Sequence, residues 1–184
     1  DPAQRKMAVH VINCNYEYDS RDLKDLEVDP LRPQANINYN QVFADIDIVI
    51  GEGNNGAVGI RMQAAEGSTI QNVTIDATHG HTGMLGAAGS GGSHHNITIR
   101  GGRIGIDTHG FPPEFREDST GTQPTPTPSH VSLIDQTEAA LVHKSRGPLL
   151  AVRWDIVSSI KGPASTIEKT YPIYAHARGF AVIA

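Results

Sequence analysis

The sequence predicts an all-β fold, a right-handed single-stranded parallel β-helix. Three observations predict it: a short polar–apolar motif recurs along the 184 residues, glycine is frequent at 19 residues, and aromatic residues make up only 5%. Short Val- and Ile-rich strands joined by tight bends stack coil upon coil, and a narrow core of branched side chains needs few aromatics. We expect a single domain over residues 1–184, as a partial solenoid from a longer protein, because the apolar end at 180–184 offers no polar cap.

The first repeated element is a strand with the pattern polar–apolar–polar–apolar. It reads DIDI at 45–48, NVTI at 72–75, NITI at 96–99, HVSL at 130–133 and, more weakly, AVRW at 151–154. Side chains alternate between the two faces of a strand, so the apolar members share one face. We therefore expect Ile46, Val73, Ile97 and Val131 to lie over one another inside the coil.

A second element lies between these copies. It reads VGI at 58–60, GML at 83–85, IGI at 104–106 and AAL at 139–141, and its last residue advances in parallel with the first element. The largest step of both elements falls across the proline-rich segment 111–128, which predicts a loop insertion of about ten extra residues. Residues 20–27 are the one segment with a short helical pattern.

Two asparagines occupy equivalent places in the repeat. Asn72 and Asn96 are 24 residues apart and each precedes an inward apolar residue. An asparagine at a bend can hydrogen-bond its counterpart in the next coil, which is the role we favour. Both also fit the Asn-x-Thr glycosylation pattern, so modification is the alternative.

Composition argues against several classes of function. The net charge is −5 and no Lys/Arg cluster occurs, so nucleic acid is a poor candidate partner. No apolar run is long enough for a membrane span. Cys14 is the single cysteine, which excludes a disulfide framework and a multi-cysteine zinc site. Histidines at 79, 81, 94, 95 and 109 form a loose group without a ligand-like carboxylate, so we expect no metal and no other cofactor.

Two segments carry a family resemblance. GAVGIRMQAAEGSTIQNVTID at 56–76 and GSGGSHHNITIRGGRIGID at 89–107 resemble the pectate-lyase-like β-helix superfamily, nearest to glycoside hydrolase family 55, the β-1,3-glucanases. The resemblance implies a secreted polysaccharide hydrolase with a second β-helical domain as partner. It places Gln63 and Ser90 on the motif that orients the attacking water, while no residue here matches the family's catalytic acid.

The alternation also suggests an exposed polar face beside the second element. If its apolar residues point inward, Arg61 and Asp107 point outward, followed by Gln63 and His109. Such a row suits the hydroxyl groups of an extended sugar chain. Asp107 beside His109 is the best acid–base candidate, and Glu138 is a further candidate for substrate binding. The alternative is that these carboxylates cap turns, as Asp and Glu commonly do near strand ends.

We therefore predict a carbohydrate-active β-helix that binds a polysaccharide or oligosaccharide, most simply a β-1,3-glucanase-type hydrolase or its substrate-binding half. Gln63, Ser90 and Asp107 are the predicted catalytic residues, and Arg61, His109 and Glu138 the predicted substrate-binding residues. Two alternatives stay open: a polysaccharide lyase or epimerase, and a non-catalytic glycan-binding or spike-like β-helix.

Overall fold

A computed structural model describes residues 7–10, 39–88, 92–108, 127–143, 149–157, 173–175 and 180–183. Within these ranges every regular element is a strand. The strands are β1 Met7–His10, β2 Val42–Ala44, β3 Ile48–Val49, β4 Val58–Ala64, β5 Thr69–Asp76, β6 Thr82–Ala88, β7 Ser93–Arg100, β8 Ile104–Asp107, β9 Thr127–Ile134, β10 Ala139–His143, β11 Leu149–Val157, β12 Ile173–Ala175 and β13 Phe180–Ile183.

The strands form two parallel sheets that the chain visits in turn. The first sheet has the order β1-β4-β6-β8-β10-β12, and the second has the order β13-β11-β9-β7-β5-β2, with β3 also paired to β5. The pairs β4–β5, β6–β7, β8–β9 and β10–β11 are thus four successive coils, each giving one strand to each sheet. This arrangement confirms the predicted all-β parallel solenoid.

The register of the second sheet stacks three of the four residues predicted to lie over one another. Val73 pairs with Ile97, and Ile97 pairs with Val131; all three are at most 2% exposed. The prediction was wrong for Ile46, which is 52% exposed. Ile48 instead joins the core, opposite Ile75, because the edge of the sheet is broken into two short strands on either side of Asp45–Asp47.

The weak fifth copy of the first motif was placed two residues too early. Trp154, not Val152, pairs with Val131, and Ile156 continues the row opposite Leu133. In each coil a polar residue comes directly before the first core residue of the motif. In the last coil this polar residue is Arg153, so Trp154 is the first core residue. Trp154 packs against the core, and its indole N–H donates to the carbonyl of Pro128 at 3.0 Å.

In the first sheet the predicted register was wrong by one residue in the second coil. Met84, not Leu85, is the partner of Ile60 and of Ile106. A glycine comes directly before Ile60, Met84 and Ile106. This glycine determines the register of the strand, because its backbone packs closely against the other sheet. A Cβ built on Gly83 would lie 2.3 Å from Ile99 Cγ2, so only glycine fits at this depth.

The core of the described residues is mainly aliphatic. Ile60, Ile75, Ile99 and Leu133 are among its large members and are all at 0% exposure. Each coil repeats the same contacts with the next, so stability is built up from neighbouring coils. Truncating one such isoleucine to alanine is expected to cost about 2–5 kcal/mol.

Some expectations fall outside the described residues. The predicted helix at 20–27 and most of the predicted loop at 111–128 lie there. The loop estimate was two residues too long, because β9 begins at Thr127 and pairs at once with Ser93. In the described part of the chain, no helix is both long and apolar enough to cross a membrane.

Candidate functional site

A ladder of bend residues runs along the outer side of the second sheet. At one equivalent position of each coil the residue has a positive φ of 53° to 59°, and these residues stack from coil to coil. We call this set the bend ladder: Asp45, Asn72, Asn96, His130 and Arg153. Asparagine and aspartate tolerate this left-handed conformation better than other non-glycine residues.

Hydrogen bonds within the ladder confirm the stacking role of the asparagines. The Nδ2 group of Asn72 donates to Asp45 Oδ1 at 2.8 Å. In the next coil, Asn96 Nδ2 donates to Asn72 Oδ1 at 3.0 Å. Neighbouring coils are thus joined by side-chain hydrogen bonds on the outside of the sheet, in addition to the backbone hydrogen bonds within it.

A groove of about 540 Å³ crosses the turns that follow the second-sheet strands. We call it the turn groove. It is lined by Asn55, Thr78, His79, Gly80, Gly101, Gly102, Arg103, Asp135 and Thr137. These residues come from three successive turns between the sheets and from the loop before β4, so the groove runs along the solenoid axis.

The first turn of the groove is held by a carboxylate. The backbone N–H of Thr78 donates to Asp76 Oδ1 at 3.0 Å, an Asx turn of the kind expected after a strand. Hydrogen bonds from the side chain and backbone of Thr78 lower the pKa of Asp76, and His79 and Arg100 act in the same direction. Asp76 is therefore ionised at neutral pH and serves to cap the turn.

The next two turns share one backbone position with positive φ. Gly101 has a φ of 65°, and a Cβ there would lie 2.6 Å from the Cα of Thr78. One coil later Asp135 takes this position with a φ of 59°. Aspartate tolerates this left-handed conformation, so the turn keeps its backbone course without a glycine. Among the described residues, Asp135 is also the one carboxylate that lines the groove.

Arg103 stands on the wall of the groove and is fixed by Glu138. The Nε–H of Arg103 donates to Glu138 Oε1 at 2.6 Å, and its terminal NH2 group makes an ion pair with the same oxygen. Both side chains are well exposed, so the pair adds little to stability. Glu138 thus contacts a residue of the groove wall, and its predicted role in substrate binding stays a prediction.

Arg61 and Asp107, which were predicted to lie on an exposed polar face, are buried and do not line the turn groove. Arg61 is 3% exposed and Asp107 is 0% exposed, so the expectation that they face solvent was wrong. They belong to one row of the first sheet, separated by Leu85, and this sheet is buried on both faces. Their predicted roles in binding and catalysis stay predictions.

The other predicted residues are not joined to the turn groove. The backbone of Gln63 pairs with Ala87 within the first sheet. The side chain of Gln63, and the whole of Ser90 and His109, lie outside the described residues. Water positioning by Gln63 and Ser90 therefore stays a prediction.

A buried polar contact joins the C-terminal ends of β8 and β10 in the first sheet. Thr108 Oγ1 and His143 Nδ1 are 2.8 Å apart, and both residues are at most 1% exposed. This contact satisfies polar atoms inside the solenoid, as buried polar groups require.

His94 has a structural role. Its ring is fully buried, with Nδ1 at 3.2 Å from the backbone N–H of Ile70 and Nε2 at 3.0 Å from that of Ala88. A neutral imidazole has one lone pair to offer, and a protonated one has none. Burial lowers the pKa of His94 to about 4, so the ring stays neutral. No group of three metal-binding side chains occurs within the described ranges.

Sequence reasoning missed the turn groove because its side chains look like ordinary turn residues. The available signal was the Gly101-Gly102 pair directly before Arg103, since both glycines have positive φ and line the groove. Comparison with family models, curated proteins and solved structures finds no match to this chain.

Proposed function

We propose that the chain is a carbohydrate-binding β-helix that holds an extended polysaccharide in the turn groove. The observation that carries the proposal is a groove that crosses three successive coils and is lined by polar side chains and glycine backbone. Successive coils are spaced by about 4.8 Å, so the groove presents hydrogen-bonding groups at regular intervals along its length. A polymer of repeated sugar rings is the ligand that such a repeat suits.

The lining groups have the chemistry that sugar hydroxyls need. Arg103 donates, Asp135 accepts, and the hydroxyls of Thr78 and Thr137 do both. Sugar hydroxyls are themselves donors and acceptors, so a ring can be held by several such contacts at once. Residues fixed before binding, as Arg103 is by Glu138, lose less entropy when the ligand arrives.

The groove has the groups for binding rather than for complete hydrolysis. Glycoside hydrolysis uses two carboxyl groups about 5–10 Å apart, one on each side of the scissile bond. In the part of the lining that the structure describes, Asp135 is the single carboxylate, and the lowered pKa of Asp76 makes Asp76 unsuitable as an acid. The chain is then the substrate-binding half of a β-1,3-glucanase-type hydrolase, with the acid supplied by a second β-helical domain.

Calorimetry with the neutral β-1,3-glucan laminarin tests the proposal. Asp135→Asn removes the carboxylate and keeps a side chain that tolerates the left-handed backbone, and Thr137→Ala removes a hydroxyl. We expect the double variant to bind laminarin at least tenfold more weakly, about 1.4 kcal/mol. Asp155→Asn is the matched control, since Asp155 is an exposed carboxylate on β11 outside the groove.

Two results would overturn the proposal. Laminarin that fails to bind the full chain excludes the ligand class, and equal binding by the double variant excludes the groove. Product analysis separates the reaction types. New reducing ends without unsaturated sugars support hydrolysis by the whole protein, whereas unsaturated products from acidic polysaccharides indicate a lyase.

A further inference from the structure

The C-terminal end of the bend ladder gathers nitrogen-rich side chains at the surface. We call this set the His–Arg cluster: His95, Ser129, His130 and Arg153. His95 Nδ1 lies 2.9 Å from Ser129 Oγ, and the rings of His95 and His130 meet edge to face with centroids 4.9 Å apart. A terminal NH group of Arg153 lies 3.3 Å from His130 Nε2. Three strands, β7, β9 and β11, thus build one site.

The contacts define where the hydrogens lie. A guanidinium only donates, so His130 Nε2 is the acceptor and the ring carries its proton on Nδ1. The other N–H groups of Arg153 have no carboxylate in contact among the described residues. The histidines and Arg153 are exposed. The cluster therefore presents several donors, one permanent positive charge and two groups able to become charged.

The backbone beneath the cluster is the second observation. His130 and Arg153 occupy left-handed positions with φ of 54° and 53°, where the two coils before them have asparagine. Arginine is not preferred in this conformation, and neither His130 nor Arg153 continues the amide hydrogen bonds of the ladder. Departures from local preference of this kind are expected where function outweighs stability.

We propose that the His–Arg cluster binds the carboxylate or sulfate groups of an acidic polysaccharide. His130 and Arg153 hold the same position on consecutive coils, about 4.8 Å apart, and His95 lies one coil earlier in the adjacent row, in register with Ser129. Donors on consecutive coils suit an extended chain that carries an anion on successive sugars. Arginine and serine are well matched to planar or tetrahedral oxyanions. The cluster is separate from the turn groove, and its ligand is a different class of saccharide.

Binding is expected to be coupled to protons. The charged or titratable side chains on the outer side of these strands are His95 and Arg100 on β7, His130 on β9, and Arg153 and Asp155 on β11. Protonation of His130 removes the acceptor that Arg153 uses and places two cations side by side. An anion between them offsets that repulsion, so binding takes up protons and strengthens in acid.

Calorimetry with oligogalacturonate at low salt tests the proposal. We expect affinity at about pH 5 to exceed that at about pH 8 by at least tenfold, with net proton uptake measured from buffers of different ionisation enthalpy. Arg153→Gln and His130→Asn should each weaken binding at least tenfold at the lower pH. Arg100→Gln is the matched control, since it removes the same charge from an exposed position on β7.

Further arms identify the ligand and separate the two sites. Inorganic sulfate should bind weakly at the same place, and sulfate binding without oligogalacturonate binding overturns the assignment to a polysaccharide. Equal losses in Arg153→Gln and Arg100→Gln show only a net-charge effect and overturn the site. Laminarin binding should be unchanged in Arg153→Gln, so failure of this proposal leaves the turn groove standing. Circular dichroism checks that each variant is folded.

Discussion

The two ends of the bend ladder share a backbone and differ in what their side chains do. At the N-terminal end, Asp45, Asn72 and Asn96 are joined by amide hydrogen bonds of 2.8 and 3.0 Å. At the C-terminal end, His130 and Arg153 keep the same positive φ and turn their donors towards solvent. The backbone of a solenoid thus specifies a bend at this position, and the choice of side chain decides whether the bend adds stability or a binding surface.

Neighbouring histidines on β7 show the same contrast within a single strand. His94 points into the solenoid and is fully buried between two backbone N–H groups. His95 points outward and contacts Ser129 and His130. Period-two alternation alone separates the two roles, since the residue type is the same. Acid is therefore expected to destabilise the fold through the buried position, His94.

The largest expected effect is acid destabilisation through His94. The pKa of His94 is lowered from 6.5 to about 4 in the folded chain, so the unfolded chain binds the proton more readily. The stability that this histidine contributes is complete above pH 6.5 and is lost as the pH falls. At pH 4 the loss is about 3 kcal/mol. Urea unfolding at a series of pH values measures it.

Substitutions at the two histidines separate this effect from general acid unfolding. Glutamine at position 94 accepts one of the two N–H groups and cannot be protonated, so His94→Gln should flatten the pH dependence while lowering stability at neutral pH. His95→Gln is the matched control, since it makes the same substitution on the outward face of β7. A wild-type slope retained in His94→Gln would assign the acid sensitivity to other groups.

The sequence predicted the existence of the repeat better than it predicted which residue of each repeat is in register with the next coil. Val73, Ile97 and Val131 were placed correctly because alternation over several coils leaves one consistent solution. Leu85 was misplaced because Met84 is also apolar, and only the close approach of Gly83 to Ile99 decides between them.

The site residues were harder to predict, because burial and groove formation depend on how coils stack. Nothing in the local sequence shows that Asp107 is at 0% exposure, since polar residues at such positions usually face water. The turn groove combines residues from separate turns, such as Thr78, Arg103 and Asp135. Each of these is typical of a turn on its own, and only the coil-to-coil register brings them together.

The next largest expected effect is on the free energy of unfolding, and it compares substitutions at the two ends of the bend ladder. Asn72 both donates to Asp45 and accepts from Asn96, and its side chain suits a left-handed backbone. Asn72→Ala should lower the free energy of unfolding by about 2 kcal/mol. Arg153→Ala should cost only about 0.5 kcal/mol, since arginine has no conformational preference to lose and its contact with His130 is exposed.

Denaturant unfolding measures both variants, with Thr98→Ala as a control on the same sheet. Thr98 pairs with Thr74 and Ser132 and has no left-handed backbone, so its truncation should cost about 0.5 kcal/mol. Equal losses for Asn72→Ala and Arg153→Ala would mean that the ladder hydrogen bonds do not distinguish the two ends.

The smallest expected effect is a gain in the free energy of unfolding rather than a loss. It tests whether His130 lowers stability in return for binding. In His130→Asn the new side chain suits the φ of 54°, and its Nδ2 group can donate to Asn96 Oδ1 as Asn96 does to Asn72. The edge-to-face contact with His95 is lost. We expect a net gain of about 0.5–1 kcal/mol in the free energy of unfolding, together with weaker binding of oligogalacturonate. His95→Asn, which has no left-handed backbone to relieve, should weaken binding without that gain. A destabilised His130→Asn would show that the histidine itself supports the bend, and that the ladder ends differ in structure rather than in function.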